Sequence, residues 1–263
     1  MLISILLYML LGAAAGTLAG LFGIGGGLVI IPVLTIAFQL QGFPPDIYMH
    51  LAIGTSLATI VFTSLSSIWA HHQRGGLDWT LILQLGGGII IGAFLGGLTA
   101  NAISGGVLAK MFGVFVYLMA IQIGLGLNFG SGGKLPGRKG KFIAGGIIGW
   151  VSALFGTGGG SMTVPYLNWC QVPITRVVST SAACGFPIAL SGCISYILTG
   201  WHNTALPDWS LGYVYLPAWF GIVLLSTVFA RFGARLAHTL PPVVLKRSFA
   251  VLLLCVGTRF VFF

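Results

Sequence analysis

The sequence predicts an all-α polytopic membrane protein made of two inverted-topology repeats, each a broken re-entrant helical hairpin followed by three transmembrane helices. Three observations predict it. Of 263 residues, 57% are hydrophobic and only 6% charged, with a mean hydropathy of +1.03, which lies outside the range of soluble domains. A glycine-rich break in an apolar run, Leu21-Phe22-Gly23-Ile24-Gly25-Gly26-Gly27 with Pro32 downstream, recurs as Leu154-Phe155-Gly156-Thr157-Gly158-Gly159-Gly160 with Pro165 at the same distance. Aligned at a constant offset, Gly16 to Leu34 and Gly149 to Leu167 share about half their residues, so the chain reads as two copies of one unit. The third observation is the placement of the basic residues, which decides how the copies are related.

The first segment runs from about Leu2 to Phe22, meets the first glycine break, and resumes as a short piece from Leu28 to about Leu40. No Lys or Arg precedes it and its counterpart in the second copy is internal, so it is expected to be mature structure and not a signal peptide. Gln41 to Asp46, with two prolines, is a turn. Apolar spans follow over about His50 to Ala70, Trp79 to Ala100 and Val107 to Phe129, each about 20 residues and long enough to cross a ~30 Å hydrocarbon core. Residues 1–129 therefore form the first repeat and 130–141, with Lys134, Arg138, Lys139 and Lys141, a basic linker. The second repeat, 142–263, has the same order: Phe142 to Phe155, the break, Ser161 to Cys170, a turn around Pro173, and spans over about Ile174 to Gly200, Ser210 to Ala230 and Val243 to Phe263. Thr55-Ser56 matches Thr180-Ser181, and Asp78-Trp79 matches Asp208-Trp209.

Cytoplasmic ends of membrane helices collect Lys and Arg. If each copy crossed four times, the basic residues would divide evenly between the two sides. If each broken segment dips in and returns, Arg74, Lys134, Arg138, Lys139, Lys141, Arg176, Arg231, Arg235, Lys246 and Arg247 share the cytoplasmic side, and only Lys110 and Arg259 face out. The second arrangement fits the rule. It leaves an odd number of net crossings, which inverts copy two relative to copy one, the architecture of many secondary transporters with broken helices near the midplane.

The short pieces after the breaks cannot span at 1.5 Å per residue, so each begins near mid-membrane. The first N–H groups of a helix have no intrahelical partner, and in hydrocarbon they are costly unless they line a cavity and meet water or an anion. Glycine permits close backbone approach, and the helix start carries roughly half a positive charge. Two such starts would make an anion site without a buried Lys or Arg, from Gly23, Gly25, Gly26 and Gly27 in one copy and Gly156, Thr157, Gly158, Gly159, Gly160 and Ser161 in the other. The hydroxyls of Thr55, Ser56, Thr180 and Ser181, about seven residues into the next span, could complete an oxyanion's coordination. Pro187, inside the second copy's span and absent from the first, should free a carbonyl and kink that helix. The chain has no glutamate, and Asp46, Asp78 and Asp208 fall at span ends, whereas a cation pathway carries buried carboxylates.

The two glycine breaks, their downstream prolines, the Thr-Ser pairs and the closing basic segment Arg231 to Arg247 resemble the TauE/SafE sulfite exporter family of thiosulfate, sulfite and organosulfonate permeases, over nearly the whole chain. The resemblance implies a multi-pass transporter of the inner membrane for small sulfur-containing anions such as sulfite, thiosulfate or sulfoacetate, and maps the family's glycine motif onto Gly23 to Gly27 and Gly156 to Gly160.

Plainer readings stand beside these. The glycines could serve tight helix packing, and the four hydroxyls could bond across or within helices. The basic residues orient the chain, so no nucleic-acid partner is expected. Cys170, Cys184, Cys193 and Cys255 lack metal-ligand spacing and are expected to pack as small apolar residues; no metal, cofactor or catalytic residue is indicated. His71-His72 and His202 read as residues of helix ends or loops, and Trp69, Trp79, Trp201 and Trp209 as interfacial anchors. Trp150, close to the second break, would wall the cavity. A cation or metal transporter is the alternative, without acidic ligands to support it. An intramembrane serine hydrolase is a weaker one, because Met162 follows Ser161 where a glycine is needed and no histidine lies within a span to act as base. No ATP-binding motif occurs, so a gradient, the potential or a coupled ion would supply the energy.

Overall fold

The computed structural model describes residues 2–22, 26–73, 77–126, 133, 135–237 and 241–262. Its helices are α1 (Leu2–Phe22), α2 (Gly27–Leu40), α3 (Pro45–Gln73), α4 (Trp79–Asn101), α5 (Gly105–Gly124), α6 (Arg138–Leu154), α7 (Gly159–Trp169), α8 (Ile174–Gly200), α9 (Leu216–Ala237) and α10 (Pro242–Phe262), with a two-stranded antiparallel hairpin of β1 (Ser210–Leu211) and β2 (Val214–Tyr215) before α9. Pro45–Gln73, Trp79–Asn101, Gly105–Gly124 and Arg176–Gly200 are long and apolar enough to cross a membrane, so the chain is a multi-pass, all-α membrane protein.

Local chemistry sets the ends of the short helices. α2 closes on Gly42, at φ +74°, whose N–H bonds the carbonyl of Gln39 while that of Phe43 bonds Phe38. α7 closes the same way on Gln171, at φ +59°, with bonds to Asn168 and, from Val172, to Leu167. Both are the paired carbonyl closures that end helices at a left-handed residue, and a proline follows each. Pro32 and Pro165 lie inside these helices. The α4 start is capped by Asp78, whose carboxylate accepts from the Leu81 N–H at 3.1 Å.

Glycines and serines fix the packing and direction of the long helices. A side chain on Gly88, Gly92 or Gly96 of α4 would overlap the backbone of Phe142, Gly146 or Trp150 of α6, so the two helices run parallel with their backbones touching. Gly12 and Gly16 of α1 meet Ile222 and Ser226 of α9 in the same sense. Ser191 and Ser195 of α8 donate to the carbonyls of Ile90 (2.7 Å) and Phe94 (2.9 Å) of α4, again parallel. α5 and α10 are antiparallel, Gly113 lying by Phe260 and Gly124 by Ala250. At one face of the molecule Arg176 of α8 meets Asp78 before α4 at 3.9 Å. At the other, Gly105 of α5 packs on the Asp46 carbonyl of α3, and Gln41 after α2 donates to the Tyr8 hydroxyl of α1 at 2.6 Å. The pair α1 and α2 thus turns back toward the face where α3 and α5 start.

Three expectations need correction. Ser210 to Ala230 is not one span: a hairpin occupies 210–215 and the helix starts at Leu216. Trp209 (φ +68°) and Gly212 (φ +54°) take left-handed conformations that a helix excludes. Nothing similar interrupts α4, so the matched Asp-Trp pairs differ: Asp78 caps a helix and Asp208 precedes a hairpin. The expected linker is partly helical, because α6 begins at Arg138 and not Phe142. Trp150 walls no central cavity. It lies on the outer side of α6, 38% exposed, and donates to the Thr99 hydroxyl of α4 at 3.1 Å.

A candidate anion site at two helix starts

The second glycine break is a helix ending followed at once by a helix start. α6 stops on Gly156, at φ +58°, with the Gly156 N–H on Ala153 and that of Thr157 on Ser152 at 2.8 Å, so its last carbonyls are satisfied. Phe155 stacks on Phe115 of α5 at 4.6 Å. Gly158 then opens α7 with no side-chain cap. In the first copy Gly26, at φ +72°, opens α2, also with no side-chain cap, and its carbonyl receives the N–H groups of Val29 and Ile30. The first amides of both helices are left for something other than a capping side chain. Gly23 and Gly25 lie outside the described residues.

The two breaks meet. A Cβ on Gly27 would stand 2.5 Å from the Gly156 carbonyl oxygen and 3.0 Å from Thr157 Cα, and one on Gly156 would strike Ile31 of α2 and Ile53 of α3. Ser56 of α3 donates its hydroxyl to the Gly156 oxygen at 3.1 Å, fully buried. Gly159 rests against the Ser181 carbonyl and Gly185 nitrogen of α8. Gly27, Gly156 and Gly159 are thus needed for close backbone approach, as the plainer packing reading has it.

The remaining hydroxyls divide. Thr157 accepts from Ser161 at 3.0 Å, and Ser161 also reaches the Gly158 carbonyl at 3.1 Å. Ser181 turns back to Val178 of its own helix. Thr55 is taken by the hairpin, accepting the Tyr215 N–H at 3.0 Å. Thr180 is fully buried and its hydroxyl has no hydrogen-bond partner among the described residues. Among the described residues the buried hydroxyls of Ser152, Thr163, Tyr166, Ser210 and Ser226 also lack a partner, and Ser152 and Thr163 flank the second break. Ser152 sits in the last turn of α6, and Thr163 lies one turn beyond Gly159, where its spacing from the glycines could have drawn notice. The three aspartates stay at helix ends or in the loop before the hairpin.

The hairpin is the part that sequence reasoning missed. It seats on glycines: Gly54 of α3 lies against the Tyr213 carbonyl and Gly200 of α8 against its nitrogen, while Gly212 presses on Ile197. Tyr213 faces the ring of His50 at 5.1 Å. His50, expected at the edge of a span, is 4% exposed, with ring nitrogens near the carbonyls of Asp46, Ala100 and Ile103.

The profile of the sulfite exporter TauE/SafE family matches residues 8–260. The chain belongs to that family. A probable membrane transporter protein of Haemophilus influenzae is 38% identical over 254 residues, covering 96% of each chain. One from Methanocaldococcus jannaschii is 30% identical over 241 residues, covering 90% of this chain and 87% of its own. Another, from Bacillus subtilis, is 26% identical over 282 residues. No solved structure matches. With the family and the apolar helices together, this TauE/SafE protein is a multi-pass membrane transporter.

Proposed function

We propose that the protein is a secondary transporter, without an enzymatic step, that moves a small sulfur-containing anion such as sulfite, thiosulfate or sulfoacetate across the inner membrane by alternating access. The anion is held near the midplane between the starts of α2 and α7. The observation that carries this reading is the contact of Gly27 with Gly156 and Thr157, which joins two uncapped helix starts from different copies. Uncapped amides and the positive ends of two helices favour an anion, and the unpartnered hydroxyl of Thr180 offers a further donor. Ser161 is engaged by Thr157 and Gly158, which argues against a nucleophile.

The two copies, 1–129 and 142–263, are read as inverted. Support comes from the helix directions: α1 pairs in parallel with α9 as α6 pairs with α4, and each broken pair folds back to its own face. The face with Arg138, Lys139, Arg176, Lys246 and Arg247 is read as cytoplasmic, with Lys110 and Arg259 outside. The hairpin covers the outer side, reaching down to Thr55 beside Ser56, so rocking of the copies must lift it for the site to open outward.

The test is uptake of a panel of sulfur oxyanions and sulfonates into proteoliposomes at imposed potentials, with Gly27→Leu and Gly158→Leu beside the wild type. Potential-dependent anion flux, lost in both variants, is expected. Flux kept by both variants would end the site assignment, and divalent-cation flux in place of anion flux would replace the reading by cation transport.

A further inference from the structure

We propose that the groove between α4 and α6 on the exposed flank of the helix bundle binds one anionic phospholipid, with an acyl chain along the groove and its headgroup on Arg138 and Lys139. The groove is lined by Gly88 and Gly92 of α4 and by Phe142, Gly146, Ile147 and Trp150 of α6, among other apolar residues. It exists because the α4 glycines bring the two backbones into contact and leave no side chains to fill the seam. Trp150 closes its deep end, fixed by its hydrogen bond to Thr99.

Charge at the other end names the occupant. The α6 stripe that lines the groove, Phe142, Gly146 and Trp150, extends back one turn to Arg138, and the line through Ile143 and Ile147 extends back to Lys139. Both cations are exposed and make no ion pair among the described residues. Lys141 adds a third charge at the mouth. Its ammonium donates to Gln84 at 2.7 Å, one turn before Gly88, which anchors it on the α4 side. From Phe142 to Trp150 the groove is about 12 Å long by helical rise, near the ~15 Å of one leaflet's hydrocarbon. An apolar channel one leaflet deep, with uncompensated cations only at its interfacial end, matches a phospholipid carrying a net negative head. This inference does not depend on the transported substrate.

Full-length protein purified from membranes is tested by native mass spectrometry and thermal unfolding with phosphatidylglycerol and phosphatidylethanolamine as probes. The wild type should retain phosphatidylglycerol in preference and gain melting temperature from it. R138Q and K139Q should each weaken that binding about fivefold. Gly146→Leu should abolish it by filling the groove; a Cβ there meets only the Gly88 carbonyl, at 3.8 Å, so the helices can stay packed. Equal retention of the two lipids by the wild type, or phosphatidylglycerol binding unchanged in the charge variants, would overturn the proposal. So would an efficient cross-link between copies through Ile147→Cys, because a second protein chain would then occupy the groove.

Discussion

Thr180 carries a buried hydroxyl without a partner among the described residues, and such a group costs about 1–3 kcal/mol unless something binds it. If that something is the transported anion, Thr180→Val should lower transport roughly tenfold or more, the worth of one hydrogen bond to a charge. The same change removes an unsatisfied polar atom, so the melting temperature should hold or rise. Thr180→Ser should keep transport. Parallel flux and unfolding measurements check this, and a loss of stability matching the loss of flux would assign Thr180 to packing instead. Gly27 makes a different demand. Any side chain there meets the Gly156 carbonyl, so even Gly27→Ala should cost about 1–3 kcal/mol of stability as well as flux.

The hairpin between α8 and α9 shows what an element can do that its neighbours in the repeat do not. It has left-handed backbone at Trp209 and Gly212, three glycine contacts, and a bond from its Tyr215 N–H to Thr55. Gly212→Val combines an unfavourable φ with overlap on Ile197 and should destabilise the protein by about 2 kcal/mol or more. Thermal unfolding measures that. Asp78→Ala, at the matched position, removes only a helix cap and one half-exposed ion pair, and should cost about 1 kcal/mol. Equal costs would mean that the hairpin is not a seated element.

For the whole molecule, the direction of every packed helix pair bears on how the halves are oriented. Single cysteines at Lys139 and Lys246 should react with a membrane-impermeant thiol reagent from the cytoplasmic side, and cysteines at Lys110 and Arg259 from the outside, in a background without the native four. Labelling of positions 110 and 246 from the same side would refute the inverted arrangement. For a monovalent anion, outward flux should respond to an inside-negative potential with about 2.3 kcal/mol of driving force per 100 mV. Measured flux indifferent to potential would require a compensating coupled ion.

The membrane class, the break after Leu154 and the long helices α3, α4, α5, α8 and α10 were legible in the sequence. Hydropathy and glycine repetition are local properties, and a bilayer leaves the chain few ways to satisfy them. The short helices came out within a residue or two of expectation, since Gly26 and Gly158 open them and a left-handed residue closes them. That the two breaks come together was expected from the repeat, but which residues touch was not legible, because Gly27 and Gly156 lie far apart along the chain. Nor was the fate of each hydroxyl: Thr55 and Thr180 occupy matched positions, yet one is taken by the hairpin and the other left bare. A repeat specifies equivalent residues, but partners come from the fold, and one hairpin inserted in only one copy gave those residues different surroundings.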